Sequence, residues 1–275
     1  ILIMKYKLGV IGDPIEHSLS PKIHNIFSKQ TDINIDYQSY HVLENSLDNF
    51  LKDFFSNGGD GLNITLPHKI NCLPFANSKS SLVNLIGAAN TLRADSSGRI
   101  FAESTDGIGL VKDLKNKCSI SSANILILGA GGSALSIIPS LDACKPRNII
   151  LDNRSKNNLE RLIKRFSDSN EIHSRILNLD NFNEDIDLVI NATSIGFSGS
   201  FNWYRELKIN KETVLYDLSY SKDHNQTPFL KWSSQRSEKY FDGFGMLINQ
   251  AAASFALWTG VEPETNITKL DLIND

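Results

Sequence analysis

A glycine-rich turn between a predicted strand and a predicted helix constrains the fold of this chain more than any other feature. In the segment ILILGAGGSA, Gly129, Gly131 and Ala134 form the pattern GxGxxA. Gly129 permits a tight turn, Gly131 lets a ligand approach the backbone, and Ala134 allows the helix to pack closely on the strand. The free N–H groups at the start of the helix favour an anion such as a pyrophosphate. The pattern predicts a dinucleotide-binding unit, and a tight turn without a ligand is the alternative.

The end of the next predicted strand, in RNIILDNRS, bears on which dinucleotide is bound. Enzymes that use NAD usually place an acid here for the ribose 2′-OH, and enzymes that use NADP place an arginine here for the 2′-phosphate. Arg154 can pair with a phosphate, and Ser155 and Lys156 add a donor and a charge. The segment therefore favours NADP, whereas Asp152 would favour NAD if its side chain faced the ligand.

Strands alternate with helices along the chain, which predicts an α/β fold. Over residues 107–244 the alternation is typical of a doubly wound parallel sheet of the Rossmann type. Residues 1–106 are predicted to form a second α/β domain. A helix in FDGFGMLINQAAASFALWTG is apolar nearly all round, so we expect residues 245–275 to return to that domain as a buried helical segment.

Two N-terminal stretches carry polar residues at informative places. The stretch GLNITLPHKI predicts a strand from Gly61 to Leu66 in which Asn63 and Thr65 are either ligand contacts or the wet side of an edge strand. In SLSPKIHNIF, Ser20 is a predicted N-cap, and the proline that follows it suits the first helical position.

The bulk composition argues against several classes of function. The 275 residues are 41% apolar and 21% charged, which is typical of a soluble globular protein. The net charge of −3, without any block of like charge, gives no support for binding nucleic acid or a membrane surface. No apolar stretch is long enough to span a bilayer, and no secretory signal precedes the first predicted strand. The spacing of Cys72, Cys118 and Cys144 gives neither a disulfide framework nor a metal site, so we expect a reducing, cytoplasmic compartment.

Ten short segments together resemble one known family. They occur in the order GDPIEHSLSPKIHN, GLNITLPHK, GAANTL, STDGIGL, LGAGGSA, NRS, INATSIG, YDLSY, TPFL and DGFGMLINQAA, and they span nearly the whole chain. In this order they resemble the shikimate dehydrogenases. The resemblance implies a substrate domain joined to an NADP-binding domain, in a monomer or homodimer. It also implies reversible NADPH-dependent reduction of 3-dehydroshikimate to shikimate, a step in the biosynthesis of chorismate and the aromatic amino acids.

The resemblance also assigns roles to individual residues. Lys69 matches the catalytic lysine of the family, and Asp106 matches the aspartate that pairs with it. The positions that match substrate contacts are Ser18, Ser20, Asn63, Thr65, Asn90, Tyr220 and Gln250. The positions that match cofactor contacts are Gly129, Ala130, Gly131, Gly132, Ser133, Asn153, Arg154, Ser155, Lys156, Thr193, Gly243 and Met246. No metal is implied. The chain departs from the family pattern at Ser104, where asparagine is usual, and at Asn158, where a second basic residue is common.

The residue types suit the implied chemistry, although other interpretations of each residue stay open. Reduction of a ketone puts negative charge on its oxygen, and a lysine with an ordinary pKa of about 10.4 is a protonated donor at neutral pH. Taken alone, Lys69 could be a surface lysine and Asp106 a helix cap. The amide of Gln250, in an apolar helix, needs either a substrate hydroxyl or a backbone carbonyl as its partner. Two other functions stay open: a quinate dehydrogenase that prefers NAD, and a nucleotide sensor without catalysis.

Overall fold

The computed structural model describes residues 5–193, 199–221 and 226–272. The chain divides into two compact units: one runs to Gly109 and resumes at Ile248, and the other runs from Leu110 to Leu247. The last three letters of the segment INATSIG lie outside the described residues.

Strands and helices alternate through most of the chain, as the sequence predicts. In chain order they are β1 (Tyr6–Gly12), α1 (Ser20–Thr31), β2 (Ile35–His41), α2 (Leu47–Ser56), β3 (Gly61–Ile64), β4 (Ser78–Lys79), α3 (Ser81–Ile86), β5 (Thr91–Ala94), β6 (Ile100–Glu103), α4 (Asp106–Leu114), β7 (Asn124–Leu128), α5 (Gly132–Asp142), β8 (Asn148–Asp152), α6 (Lys156–Ser167), β9 (Arg175–Asn178), β10 (Leu188–Asn191), β11 (Val214–Asp217), α7 (Pro228–Ser233), β12 (Tyr240–Phe241) and α8 (Phe244–Thr259).

The sheet of the first unit is mixed and has the order β2-β1-β3-β5-β6-β4. Strands β2, β1 and β3 are parallel, and β5 runs antiparallel to both β3 and β6. The expected strand from Gly61 to Leu66 exists but ends at Ile64. The alternative that this strand lies at the edge of the sheet is wrong, because β3 pairs with β1 on one side and with β5 on the other. Asn63 is therefore buried, with an exposed fraction of 6%.

The sheet of the second unit is entirely parallel and has the order β12-β11-β10-β7-β8-β9. When the six strands are renumbered 1 to 6 in chain order and the sheet is followed from β9 to β12, the order is 3-2-1-4-5-6, as in the Rossmann fold. Strands β7, β8 and β10 are buried at every residue, as expected of a parallel sheet covered on both faces. The predicted fold class is confirmed.

The ends of three helices bear on the site. The prediction that Ser20 is the N-cap of α1 is wrong, because Leu19 is the cap residue and Ser20 is the first residue of the helix. The Oγ of Ser18, two residues earlier, accepts a hydrogen bond from the Ser20 N–H at 3.2 Å and so satisfies one donor of the helix start. Helix α4 begins at Asp106, and α8 is the expected apolar helix.

Across the described ranges, no helix has both the length and the apolar character needed to cross a membrane.

A buried imidazole lies in the core of the first unit. His24 is 0% exposed, stacks on Tyr37 at 4.2 Å and packs near Phe27, Phe255 and Trp258. Neither ring nitrogen has a hydrogen-bond partner among the described residues. Burial lowers the pKa of His24 to about 3, because a charged imidazole cannot be solvated there.

This histidine is expected to make the first unit less stable in acid. The folded-state pKa lies below the ordinary value of 6.5, so the stabilisation is complete above pH 6.5 and is lost as pH falls towards 3. Between pH 7 and pH 5 the loss is about 2 kcal/mol of unfolding free energy, since the unfolded chain takes up the proton. Urea unfolding at pH 7 and at pH 5 should show this decrease in unfolding free energy in the wild type. The decrease, which we call the pH slope, should disappear in His24→Phe. The same substitution at the exposed His173 should leave the slope unchanged, and an undiminished slope in His24→Phe would contradict the assignment.

Candidate active site

Polar residues that follow different strands of the first sheet meet at one edge. Strands β1 and β3 are parallel, so Ser18 after β1 and Thr65 and Lys69 after β3 leave the sheet on the same side. Antiparallel pairing puts the start of β5 beside the end of β3, and the end of β6 beside the start of β5. Asn90 and Asp106 therefore join the same edge. The sheet brings together residues that are far apart in the chain.

The Lys69 ammonium and the Asp106 carboxylate form an ion pair. Lys69 Nζ lies 2.6 Å from Asp106 Oδ2, and the two side chains are 26% and 12% exposed. The turn that carries the lysine is fixed: Ala89 N donates to Lys69 O at 2.8 Å, and the buried ring of His68 lies 2.6 Å from Val42 O. Lys69 is thus not a freely solvated surface lysine, and His68 is a structural residue of the turn.

Asn90 holds the other oxygen of the aspartate. Its Nδ2 donates to Asp106 Oδ1 at 2.8 Å and to Thr105 Oγ1 at 2.9 Å, while its Oδ1 accepts from Thr105 N at 2.8 Å. Asn90 and Thr105 are 3% and 2% exposed. Both carboxylate oxygens of Asp106 are therefore oriented, one by an ammonium and one by an amide.

Helix α8 adds two polar side chains to this group. Gln250 Oε1 lies 3.3 Å from Asn90 Nδ2 and 3.4 Å from Thr105 Oγ1. One turn later, Ser254 Oγ lies 2.8 Å from Thr91 Oγ1 and 3.2 Å from Thr105 Oγ1. Gln250 thus has side-chain partners, where the sequence suggested a backbone carbonyl or a substrate hydroxyl. Sequence reasoning missed Thr91, Thr105 and Ser254; only Ser254, a small polar residue in an apolar helix, gave a signal.

The Asn63 amide, like that of Asn90, already makes hydrogen bonds inside the protein. Its Oδ1 accepts from Tyr37 OH at 2.7 Å. Its Nδ2 lies within 3.3 Å of three acceptors, namely Asn90 O, Thr91 Oγ1 and Ser254 Oγ. Both hydrogens of Nδ2 therefore have acceptors within the protein.

The two serines and Thr65 are held close to strand ends. Ser18 and Thr65 are half-buried, and Ser20 is 7% exposed. Thr65 N donates to Ile11 O at 3.0 Å, and a Cβ on Gly12 would come within 2.5 Å of the Thr65 methyl group. A glycine at position 12 is therefore needed for Thr65 to pack at the end of β1.

The glycine turn of the second unit has the geometry of an anion cradle. Gly129 has φ +110°, and a Cβ there would lie 3.0 Å from both Ala192 O and the Thr193 methyl group. Gly131 caps α5, and a Cβ at Gly131 or Gly132 would meet nothing within 4 Å. The N–H groups that start α5 are thus open to a diphosphate, as the pattern predicts. Ala130 lies in this turn and is half-buried, and Ser133, the second residue of α5, is exposed.

The residues after β8 fit a phosphorylated ribose. Arg154, Ser155 and Lys156 are exposed, and Asn153 Nδ2 fixes the turn by donating to Ser155 O at 2.9 Å. The carboxylate of Asp152, in contrast, is 0% exposed and accepts from side chains elsewhere in the unit. The exposed polar groups here are donors and cations, which suit the 2′-phosphate of NADP.

The remaining predicted positions follow β11 in the second unit. Gly243 N donates to Ser219 O at 2.9 Å, and a Cβ on Gly243 would lie 2.2 Å from Leu218 O, so only glycine fits there. Met246 is half-buried on α8. Burial raises the pKa of the Tyr220 phenol, so this side chain is a neutral hydrogen-bonding group at neutral pH. No group of three His, Cys, Asp or Glu side chains in the described part of the chain is placed to hold a metal ion.

Family profiles match most of the chain in three blocks. Residues 10–92 match the profile described as shikimate dehydrogenase substrate binding domain. Residues 110–198 match shikimate / quinate 5-dehydrogenase, and residues 243–269 match the shikimate 5′-dehydrogenase C-terminal domain.

Individual proteins are similar over almost their full length. The NADP(+) shikimate dehydrogenase of Colwellia psychrerythraea is 41% identical over 93% of this chain and 92% of its own. A crystal structure of a shikimate dehydrogenase in complex with NADP+ superposes with a TM-score of 0.87, at 32% identity, over 98% of this chain and 95% of that one. The Thermus thermophilus enzyme in complex with NADP(H) and shikimate gives a TM-score of 0.85 at 26% identity, over 98% and 99% of the two chains.

Proposed function

The chain belongs to the shikimate dehydrogenase family, and from this membership we propose that Lys69 and Asp106 are its catalytic pair. The protein is an NADP-dependent oxidoreductase acting on a CH–OH group. Its reaction is the reversible NADPH-dependent reduction of 3-dehydroshikimate to shikimate, a step of chorismate biosynthesis.

The observation that supports the catalytic pair is the 2.6 Å contact between Lys69 Nζ and Asp106 Oδ2 at the polar edge of the first sheet. Reduction develops negative charge on the ketone oxygen of the substrate. Lys69 donates a hydrogen bond to that oxygen and stabilises the charge. Asp106 holds the ammonium in place and accepts a hydrogen bond from a neighbouring substrate hydroxyl. Asn90 keeps Asp106 in position through its other oxygen.

The hydroxylated, carboxylated ring of the substrate needs several fixed donors and acceptors. We assign the ring hydroxyls to Asn90 and Gln250 and the carboxylate to Ser18, Ser20 and Thr65, because these side chains belong to elements that end at the same edge. Tyr220 is proposed as a further substrate contact from its match to the family pattern. Asn63 is proposed as a further substrate contact from its match to the family pattern, and its amide, like that of Asn90, also makes hydrogen bonds to protein groups. A site of this kind rejects analogues that leave its polar groups without partners.

The cofactor contacts are assigned to the second unit. When bound, NADPH supplies the hydride. The turn from Gly129 to Ser133 binds the diphosphate, and Thr193, Gly243 and Met246 border the nicotinamide half. The 2′-phosphate is held by Asn153, Arg154, Ser155 and Lys156, of which Arg154 has a planar guanidinium that can donate two parallel hydrogen bonds.

Three further assignments complete the proposal. Residues 1–106 with 245–275 form the substrate-binding catalytic domain, and residues 107–244 form the NADP-binding domain. The enzyme works in the cytoplasm, where its free cysteines Cys72, Cys118 and Cys144 stay reduced. Its partners are small molecules, and it is a monomer or a homodimer.

The experiment that tests this function is a matrix of two cofactors and two substrates. Initial rates of shikimate and quinate oxidation are measured with NADP+ and with NAD+. The proposal expects the highest kcat/KM with NADP+ and shikimate. A higher value with NAD+ and quinate would instead support the quinate dehydrogenase. Cofactor binding without turnover on either substrate would support a nucleotide sensor.

Arg154→Ala is expected to raise the KM for NADP+ about tenfold or more, because charge-assisted hydrogen bonds to a phosphate are lost. The KM for NAD+ should change little, since NAD+ has no 2′-phosphate. Steady-state kinetics with both cofactors measure the two effects. Arg161→Ala, which removes an exposed arginine from α6, is the matched control. Equal increases for both cofactors in Arg154→Ala would mean that Arg154 does not recognise the 2′-phosphate.

A further inference from the structure

Asp152 ends β8 at the place where a Rossmann fold recognises the adenosine ribose. Its carbonyl oxygen accepts a hydrogen bond from Gly129 N at 2.8 Å, so its backbone adjoins the glycine turn. An acid at this position accepts a hydrogen bond from the ribose 2′-OH in enzymes that use NAD. By its position in the backbone, Asp152 would therefore favour NAD in a protein whose relatives use NADP.

The Asp152 side chain is taken up by three consecutive residues from another part of the unit. Its Oδ2 accepts from Trp203 Nε1 at 2.8 Å, and its Oδ1 accepts from Tyr204 OH at 2.5 Å. Arg205 Nη2 lies 3.4 Å from the same Oδ1. The carboxylate is 0% exposed. Both oxygens thus have protein donors, and a cation lies beside the charge.

The three donors are themselves fixed. Trp203 is 7% exposed and stacks parallel to Phe201, with ring centroids 6.2 Å apart. Arg205 pairs with Asp180 at 2.6 Å and lies over the Tyr204 ring at 5.0 Å. Burial, together with the hydrogen bond to the carboxylate, raises the pKa of Tyr204 to about 12. The phenol therefore keeps its proton at neutral pH and remains a donor.

From this geometry we propose that residues 203–205, which we name the Asp152 clamp, set the cofactor preference by keeping the Asp152 carboxylate from the adenosine ribose. The inference rests on the proposed NADP-dependent function. A released carboxylate would accept a hydrogen bond from the 2′-OH of NAD and would repel the 2′-phosphate of NADP. The clamp removes both effects and leaves recognition to Arg154. Trp203 and Tyr204 act through Asp152 and are positioning residues.

The test compares cofactor affinities when the clamp donors are removed. Trp203→Phe and Tyr204→Phe each delete one donor and keep an aromatic side chain at the position. Trp232→Phe with Tyr240→Phe makes the same two changes elsewhere in the unit and is the matched control. Dissociation constants of NADP+ and NAD+ are measured by titration calorimetry without substrate. The double clamp variant should lose about tenfold or more of its preference for NADP+ over NAD+, the effect of one charge-assisted hydrogen bond. The control pair should keep the wild-type preference.

Asp152→Asn shows whether the effect runs through the carboxylate. In the wild-type background we expect it to leave the preference within about twofold, because a clamped Asp152 does not touch the cofactor. Added to the double clamp variant, it should restore the preference for NADP+. The inference is overturned if the double variant keeps its preference, if its loss is the same with asparagine at position 152, or if Asp152→Asn alone changes the preference strongly.

Two features keep the result readable. Tyr204 is 44% exposed, so Tyr204→Phe alone, with and without Asp152→Asn, gives the same comparison if the double variant fails to fold by circular dichroism. Because shikimate is absent from the titration, a wrong substrate assignment would show only in the activity matrix, whereas a wrong clamp assignment would show only in the affinity ratio.

Discussion

Lys69→Ala is expected to lower kcat for shikimate oxidation about a thousandfold or more while the protein stays folded. The substitution removes the ammonium that we propose stabilises charge at the reacting oxygen. It also leaves Asp106 without the ammonium that lies 2.6 Å from its Oδ2. The fold should survive because the Lys69 side chain is 26% exposed and its backbone is held separately by Ala89.

Steady-state rates with NADP+ and shikimate measure this effect, and circular dichroism checks the fold. Lys52→Ala, which removes an exposed lysine from α2 in the same unit, is the matched control and should retain wild-type kcat. If Lys69→Ala turned over shikimate at a rate near that of the wild type, the catalytic assignment of this lysine would be wrong.

Asn90→Asp is expected to lower kcat/KM at neutral pH about a hundredfold, through repulsion and not through loss of size. Asn90 Nδ2 donates to Asp106 Oδ1 at 2.8 Å, and an ionised aspartate at position 90 has no proton to donate. Two carboxylates at this distance share one proton, so an apparent pKa of the pair rises. The variant should regain part of its activity relative to the wild type as pH falls through that value, because the shared proton restores the contact.

The pH dependence of kcat/KM distinguishes this mechanism from a general loss of structure. Asn84→Asp, on the exposed face of α3, makes the same chemical change away from the site and should keep the wild-type profile. Asn90→Ala removes the amide without adding charge, so its profile should fall by a similar factor at every pH. If Asn90→Asp and Asn90→Ala gave parallel profiles, the repulsion argument would fail.

Local features of the dinucleotide-binding unit were predictable because they depend on neighbours in the chain. The turn after β7 needs a residue with positive φ, and Gly129 supplies it at +110°. The free N–H groups that follow belong to the start of α5, so strand, turn and helix can be recognised from ten consecutive letters. The parallel sheet followed in the same way from buried apolar runs.

The interior position of β3 was not predictable, because it depends on a partner that comes almost 30 residues later in the chain. Asn63 pairs with Thr91 of β5, and that pairing turns a possible edge strand into a buried one. Ser254, much further along, supplies an acceptor for the Asn63 amide. Alternating polar and apolar letters do not say which side of a strand another strand will cover.

The contacts that hold two carboxylates, those of Asp106 and Asp152, also come from distant parts of the chain. Ser104 replaces the usual asparagine, yet Asp106 is held from both oxygens by Lys69 and Asn90. Asp152 has the position in sequence of a ribose ligand, but it accepts hydrogen bonds from residues 51 and 52 positions away. No local pattern marks either arrangement, since side chains from distant segments satisfy each carboxylate.

The discontinuity of the first unit has a consequence for the order in which the protein matures on the ribosome. Lys69, Asn90 and Asp106 are synthesised early, but Gln250 and Ser254, which complete their hydrogen-bond network, emerge only after the whole of the second unit. Trp258, whose indole donates to Leu92 O at 2.9 Å, arrives later still. A nascent chain that already carries its second unit therefore still lacks Gln250 and Ser254, so the hydrogen-bond network around the proposed catalytic pair is completed only near the end of synthesis.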